Sequence, residues 1–412
     1  MILVALFGLV FSAGLSSYPI DGYDQTGIRR LLHLQMVNNE ALAGKKSIEG
    51  ALKSLDAIAL HLTETTSDSL LSKVDIDREL QRKVDRLFPN MHESYSLSLL
   101  DITPGRPLRY ASKQDKREYQ PGSVGKLAVA IALFSELESI YPDSFDERQQ
   151  LLRDKYVVGG QWVLTDEHTI PVFDVDTKKI VKRIAQATDN FTLYEWVDHM
   201  MSVSNNGAAS VIWREALLMR VFGEAYPSLT NEQANDYFTT TPKAELSTLA
   251  MQVVNEPLRQ IDITENEWRL GKFFTRGAGN IIPGGGGSTG TTRGLMKFMV
   301  ALEQGEVVDP ASSLEIKRLM YMTDRRIRYA ASTALSKAAV YFKSGSLYSC
   351  AAEDGYTCEK YKGNKANYMN SVAIVEHPDS TIYMVCLMSN VLKKNSSGDH
   401  FALASSIDKL LH

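Results

Sequence analysis

Apolar residues recur at helical spacing through much of the first ninety positions. Ile28-Arg-Arg-Leu-Leu-His-Leu34 and Ala51-Leu-Lys-Ser-Leu-Asp-Ala-Ile-Ala-Leu-His-Leu62 both carry it, and Arg78 to Phe88 continues the pattern before Pro89. This predicts two or three helices in a segment spanning residues 17–90. The pattern then changes. Tyr95-Ser-Leu-Ser-Leu-Leu-Asp-Ile102 reads as a strand, and Pro104-Gly-Arg-Pro107 as a turn. Almost 270 residues later, Tyr368–Val375 and Thr381–Met388 read as two strands joined by Glu376-His-Pro-Asp-Ser380, a hairpin-like link. Tyr341-Phe-Lys343 ends another strand. Between these ends the chain is helical in character. Leu127-Ala-Val-Ala-Ile-Ala-Leu-Phe134, after Pro121-Gly122, predicts a buried helix beginning at Ser123. Trp196–Val203 and Phe401–Leu411 predict two more.

At 412 residues the chain can hold one large domain or two ordinary ones, with 44% hydrophobic and 23% charged residues. A net charge of −4 and the lack of a polybasic stripe argue against nucleic acid as a partner. The run Ile2–Gly14 is too short for a membrane span and ends in small residues. It reads as a signal peptide over residues 1–16 although a positive start is missing, with a buried N-terminal helix as the alternative. With no cysteine near residue 14, a lipid anchor there is not expected. Export to the periplasm or medium, without a stable membrane span, is the expectation. Cys350 and Cys358 flank a polar loop that a disulfide could staple, and Cys386 reads as a core residue. No spacing suggests metal ligation, so neither metal nor cofactor is expected. Gly284–Gly287 reads as a linker between helices, since no strand and Gly-Lys-Ser/Thr frame it as a phosphate cradle.

Three short motifs carry the chemistry, and they fall in one order: Ser123-Val-Gly-Lys126, Ser204-Asn-Asn206 and Lys343-Ser-Gly345. Residues three apart share a helical face, so Lys126 can reach the Ser123 hydroxyl. Burial and the positive helix N-terminus both lower a lysine pKa. A neutral Lys126 could then take the Ser123 proton and activate a nucleophile. Alone, each motif has a structural alternative: a helix cap at Ser123 with a solvated Lys126, an Asx-type turn at Asn205, and a strand end at Gly345. Ser406-Ile-Asp-Lys409 repeats the first spelling with nothing catalytic around it.

S-x-x-K, S-D-N and K-T-G mark class A β-lactamases and penicillin-binding proteins. Over residues 91–412 this chain resembles that superfamily, with Asn205 for Asp and Ser344 for Thr. Gly290–Glu306 is similar to the helix before the third motif in class A enzymes, and Pro310-Ala-Ser-Ser and Asp324-Arg-Arg-Ile-Arg328 also resemble that region. The resemblance implies an α+β fold: an antiparallel sheet built from both ends of the domain, flanked by helices, with an inserted all-helical subdomain. Here it would also carry the N-terminal helical extension, which compact relatives do not need. Phe401–Leu411 would cover one face of the sheet.

The resemblance also implies roles. Ser123 would attack an amide, and Ser204 would relay protons between Lys126, Lys343 and the leaving nitrogen. Asn206 would bond Lys126 and the substrate amide, with Asn205 a turn residue. Lys343 and Ser344 would bind a substrate carboxylate, and Gly345 would let the strand approach the substrate. The N–H groups of Ser123 and Ser346 match the oxyanion hole. Class A enzymes deacylate with a glutamate between the second and third motifs. Glu232 and Glu245 are the candidates, though neither has the usual setting. Longer spacing implies insertions such as Tyr156–Thr177. His168, His199 and His377 pair with no serine motif, so a Ser-His-Asp triad is not expected. Arg325, Arg326 and Arg328 could face the substrate carboxylate or form a solvated cluster. The function implied is a serine hydrolase, foremost a class A-like β-lactamase taking a β-lactam. A D,D-peptidase on cell-wall peptides and a non-catalytic penicillin-binding sensor or scaffold are the alternatives.

Overall fold

The computed structural model describes residues 19, 21–65, 75–321, 323 and 326–412. Its framework is a five-stranded antiparallel sheet in the order Arg109–Lys113, Ser96–Asp101, Ile382–Asn390, Ala366–Glu376, Ala339–Ser349. The first two strands and the last three come from opposite ends of the chain, as expected. The register pairs Leu99 with Val385 and Lys343 with Val372.

Both faces of the sheet are covered, which explains why its strands read as near-continuous apolar runs. Side chains alternate between two cores. Leu100, Val372, Ile374, Met384, Cys386 and Met388 face the helical block. Leu97, Leu99, Ala373, Val375, Val385 and Leu387 face the other way, against Leu80 and Val84 of helix Arg78–Asp85 and Leu403, Ala404, Ile407 and Leu411 of helix Ser397–Leu411. Ser406 and Lys409 lie on that last helix, where Ser406 Oγ bonds back to the Ala402 carbonyl. The helical block is built around Lys126–Ile140, buried over nearly its whole length, with Leu193–Met201 and Asn206–Phe222 packed beside it.

The segment before residue 65 departs from the periodicity. Arg29–Asn38 is helical, but Ala51–Leu62 is not: it holds two short 3-10 turns, ending at Ala51 and spanning Leu55–Ala57, within otherwise irregular backbone. Ala51, Leu55, Ile58 and Leu62 are buried all the same. Tertiary partners take the backbone donors that a helix would have used. Lys53 N bonds Tyr321 Oη, Leu55 N bonds Asp21 Oδ1, His61 N bonds Glu303 Oε2 and Leu62 N bonds Glu303 O. Packing thus overrides propensity.

Two further details differ from expectation. The third motif does not end a strand: Ala339–Ser349 runs through it, because Gly345 and Ser346 remain paired with Asn370 and Met369. The Tyr156–Thr177 segment, expected as an insertion, includes Thr169–Asp174, half of a surface hairpin with Lys179–Ile184. Beyond the edge strand, Cys350 and Cys358 are joined in a disulfide, and Cys386 is buried. The expected signal segment 1–16 lies outside the described residues. No helix among those described is long and apolar enough to cross a membrane.

Candidate active site

Ser123 sits in a 3-10 turn, Gly122–Gly125, that leads directly into helix Lys126–Ile140. This one-turn offset from the expected helix start keeps Ser123 and Lys126 on the same side. Lys126 Nζ lies 3.0 Å from Ser123 Oγ, 2.7 Å from Asn206 Oδ1 and 3.3 Å from Ser204 Oγ, and it also donates to the Ser204 carbonyl. Burial pushes its pKa down to about 7, against the pull of the Asp166 carboxylate.

Ser204 has φ 61°, a left-handed conformation that is uncommon for a side-chain-bearing residue and concentrates at functional sites. It follows helix Leu193–Met201 and precedes helix Asn206–Phe222. Asn205 caps the second helix, its Oδ1 accepting from Ala208 N at 2.7 Å, so the residue in place of aspartate is a cap. Lys343 Nζ donates to Ser204 Oγ at 2.8 Å. Burial, then the Lys126 and Arg328 cations, hold Lys343 well below the usual lysine range. The Ser204 hydroxyl therefore touches both lysines.

Gly345 has a steric reason to be glycine. A Cβ there would lie 2.2 Å from the Pro121 carbonyl oxygen and 2.8 Å from Val124 N. Only a bare backbone lets the edge strand lie this close to the turn that carries Ser123. Asn370 secures the same junction from the neighbouring strand, donating to the Gln120 and Pro121 carbonyls.

Ser123 opens onto a cleft of about 690 Å³, lined in part by Glu167, His168, Asn206, Phe273, Ser346, Tyr348 and Tyr361. A smaller recess of about 110 Å³ continues from it toward Ser204, Arg328, Lys343, Ser344 and Gly345. The motif residues Ser123, Lys126, Ser204, Asn206 and Lys343 are thus joined by hydrogen bonds, and Ser344, Gly345 and Ser346 line the recess.

Other expectations change. Glu232 and Glu245, expected as deacylation bases, are exposed on helices Asn231–Thr240 and Lys243–Gln260, and neither lines the cleft. Helix Asn231–Thr240 buries none of its residues, and helix Lys243–Gln260 packs Leu246, Ala250 and Val253 into the core while Glu245 stays exposed. The arginines do not form a solvated cluster. Arg326 is buried, donating to the Gly50, Leu335 and Ala338 carbonyls. Arg328 donates to the Gly345 carbonyl at 2.8 Å and lies over the Tyr361 ring. Arg325 is outside the described residues.

His168 also differs: it lines both the cleft and the recess. His199 is buried, and His377 bonds Asp408. Among the described residues, His377, Asp408 and His412 are one group whose donor atoms could share an ion, and none of them lines the cleft.

Sequence reasoning missed Asp166. Its side chain is buried and accepts from the backbone N of Asn206 at 2.6 Å and Gly207 at 3.2 Å. Burial raises its pKa, but the His168 bonds and charge and the Lys126 cation outweigh this and hold the carboxyl below its usual value. The adjoining Asp166-Glu-His168 triplet was the one available signal.

A model described as "Beta-lactamase enzyme family" matches residues 79–407. Among solved structures, a β-lactamase from Chitinophaga pinensis DSM 2588 aligns with TM-score 0.51 at 13% identity, covering 81% of this chain and 98% of its own. TLA-3 extended-spectrum β-lactamase aligns with TM-score 0.51 at 12% identity, covering 81% and 99%. A structure of PBP-A aligns with TM-score 0.49 at 13% identity, covering 81% and 95%. No curated protein matches.

Proposed function

The chain belongs to the β-lactamase enzyme family, and from that premise we propose a serine hydrolase that opens β-lactam amides through an acyl-enzyme on Ser123. The observation that carries this reading is the Lys126–Ser123 separation of 3.0 Å, with Lys126 brought to about 7 by burial. A lysine so tuned is neutral in a large fraction of molecules near pH 7 and serves as a base.

Ser123 Oγ attacks the lactam carbonyl as its proton passes to Lys126. The Ser204 hydroxyl, touching both lysines, hands a proton to the leaving nitrogen. The N–H groups of Ser123 and Ser346 receive the developing oxyanion. The Arg328 guanidinium makes the recess electropositive, which suits a substrate carboxylate, and Lys343 lines the same recess as an N–H donor. Ser344, beside them, adds a hydroxyl donor. Water then releases the acid and restores Ser123.

A second reading is a D,D-peptidase acting on cell-wall peptides. It is favoured by the positions of Glu232 and Glu245, which leave the class A deacylation glutamate without an equivalent among the expected residues. Export belongs to the proposal too: the apolar N-terminal run and the Cys350–Cys358 disulfide both suit an oxidising compartment.

Intact-mass spectrometry after mixing with benzylpenicillin tests these readings, with Ser123→Ala as control. An adduct that forms and decays supports the β-lactamase. A permanent adduct supports the peptidase or a sensor. No adduct at any time overturns the proposal.

A further inference from the structure

We infer that His168, held by Asp166, is the base that activates water for release of the acyl-enzyme. This rests on the acyl-enzyme reading above. That reading needs a group able to take a proton from water beside the Ser123 ester, and the glutamates expected for this lie outside the cleft. His168 is different: it lines both the cleft and the recess that meet at Ser123.

Its bonding suits the task. His168 Nδ1 lies 2.6 Å from Asp166 Oδ1, and Nε2 makes no hydrogen bond among the described residues. A carboxylate accepts the Nδ1 proton, so the neutral imidazole keeps its lone pair on Nε2. The side chain of His168 is 45% exposed and that of Asp166 is 1% exposed. Water therefore reaches the ring while its anchor stays dry.

The anchor is itself held in place. Asp166 accepts from the N–H groups of Asn206 and Gly207 at the start of a 17-residue helix. Asn205 Nδ2 bonds the His168 carbonyl at 2.8 Å. The second motif thus fixes the imidazole relative to Lys126 and Ser123. Orientation of an imidazole by a buried carboxylate, which also stabilises the imidazolium, is the logic of catalytic Asp-His pairs.

The step balances. Water gives a proton to Nε2 while its oxygen bonds to the acyl carbon. The tetrahedral intermediate then breaks the carbon–Ser123 Oγ bond. The proton held on the imidazolium returns through the solvated cleft to the serine oxygen. The products are a carboxylic acid and free Ser123, with His168 neutral again. Asp166 acts through His168 as a positioning residue.

The test uses the full chain and benzylpenicillin, with adduct formation and decay timed separately by rapid quench and intact mass. His168→Gln, at a half-exposed site, should form the adduct within about threefold of the unaltered rate and lose it at least about 100-fold more slowly. Asp166→Asn, which also touches acylation through Lys126 and the second motif, is read on decay only: it should slow decay and add nothing to the slowed decay of His168→Gln. Unchanged decay in His168→Gln overturns the inference and leaves the acyl-enzyme reading standing. So does slow decay in Glu167→Gln but not in His168→Gln. Additive slowing in the double variant overturns the role of Asp166. No adduct, or a permanent one, on the unaltered protein overturns the inference together with hydrolytic turnover.

Discussion

The Ser204 hydroxyl lies 2.8 Å from the Lys343 amine and 3.3 Å from that of Lys126. One oxygen between two buried amines can accept from one while donating to the other, which suits it to pass a proton toward a leaving nitrogen. Ser204→Ala removes that link without changing the volume of the recess much. Acylation by benzylpenicillin should fall by about 10²–10⁴ in stopped-flow assays. A loss below about fivefold would mean that the proton leaves by another route.

Lys126 makes the pH dependence of acylation specific. The active form is the neutral amine, so the rate rises with pH and levels off above the pKa of about 7. Below it the neutral fraction falls about tenfold per pH unit, so pH 5 should be about 100-fold slower than the plateau. A rate–pH profile of adduct formation measures this directly. A flat profile between pH 5 and 8 would exclude Lys126 as the base.

Gly345→Ala places a methyl group against backbone atoms of the Ser123 turn, which cannot rotate away. The strand and the turn must separate, at a cost of about 1–3 kcal/mol. Thermal melting and acylation rate should both drop. Gly398, whose Cβ direction is open, is the control: Gly398→Ala should melt like the unaltered protein.

The extension before residue 65 braces the block that carries the second motif. Arg30 and Asp198 form a two-point pair, with side chains 2% and 0% exposed. Asp198 belongs to helix Leu193–Met201, just before Ser204. Arg30→Ala strips the buried carboxylate of its guanidinium and should cost about 3–5 kcal/mol in urea unfolding. Arg30→Met with Asp198→Leu should recover most of this, because it removes both charges. A loss below about 1 kcal/mol for Arg30→Ala would show that the extension is not part of the folding unit.

Much of the fold was legible from particular residues. The runs at 95–102, 368–375 and 381–388 became strands because both faces of the sheet are buried, so their apolar character is continuous. Ala51–Leu62 misled because spacing of apolar residues reports only which side chains seek a core. Its four buried residues found one through irregular backbone and 3-10 turns, with Glu303 and Tyr321 among the hydrogen-bond partners. The strand through Lys343-Ser-Gly345 was read as ending there because glycine and serine interrupt the pattern. Pairing with Asn370 and Met369 carries it on.

For the site, the sequence by itself supplied the groups proposed to react. Ser123 with Lys126 is a local relationship, set by the pitch of a helical turn, and the order of the three motifs narrows the chemistry further. Only the tertiary structure decided the rest. It brought Ser204 between lysines 217 residues apart in the chain, buried both amines so that their pKa values fall, and moved Glu232 and Glu245 out of reach. It also set Asp166 and His168 against the second motif, although 38 residues separate Asp166 from Ser204. Hydrogen-bond partners and dielectric surroundings are properties of packing between distant segments, and no short-range periodicity encodes them.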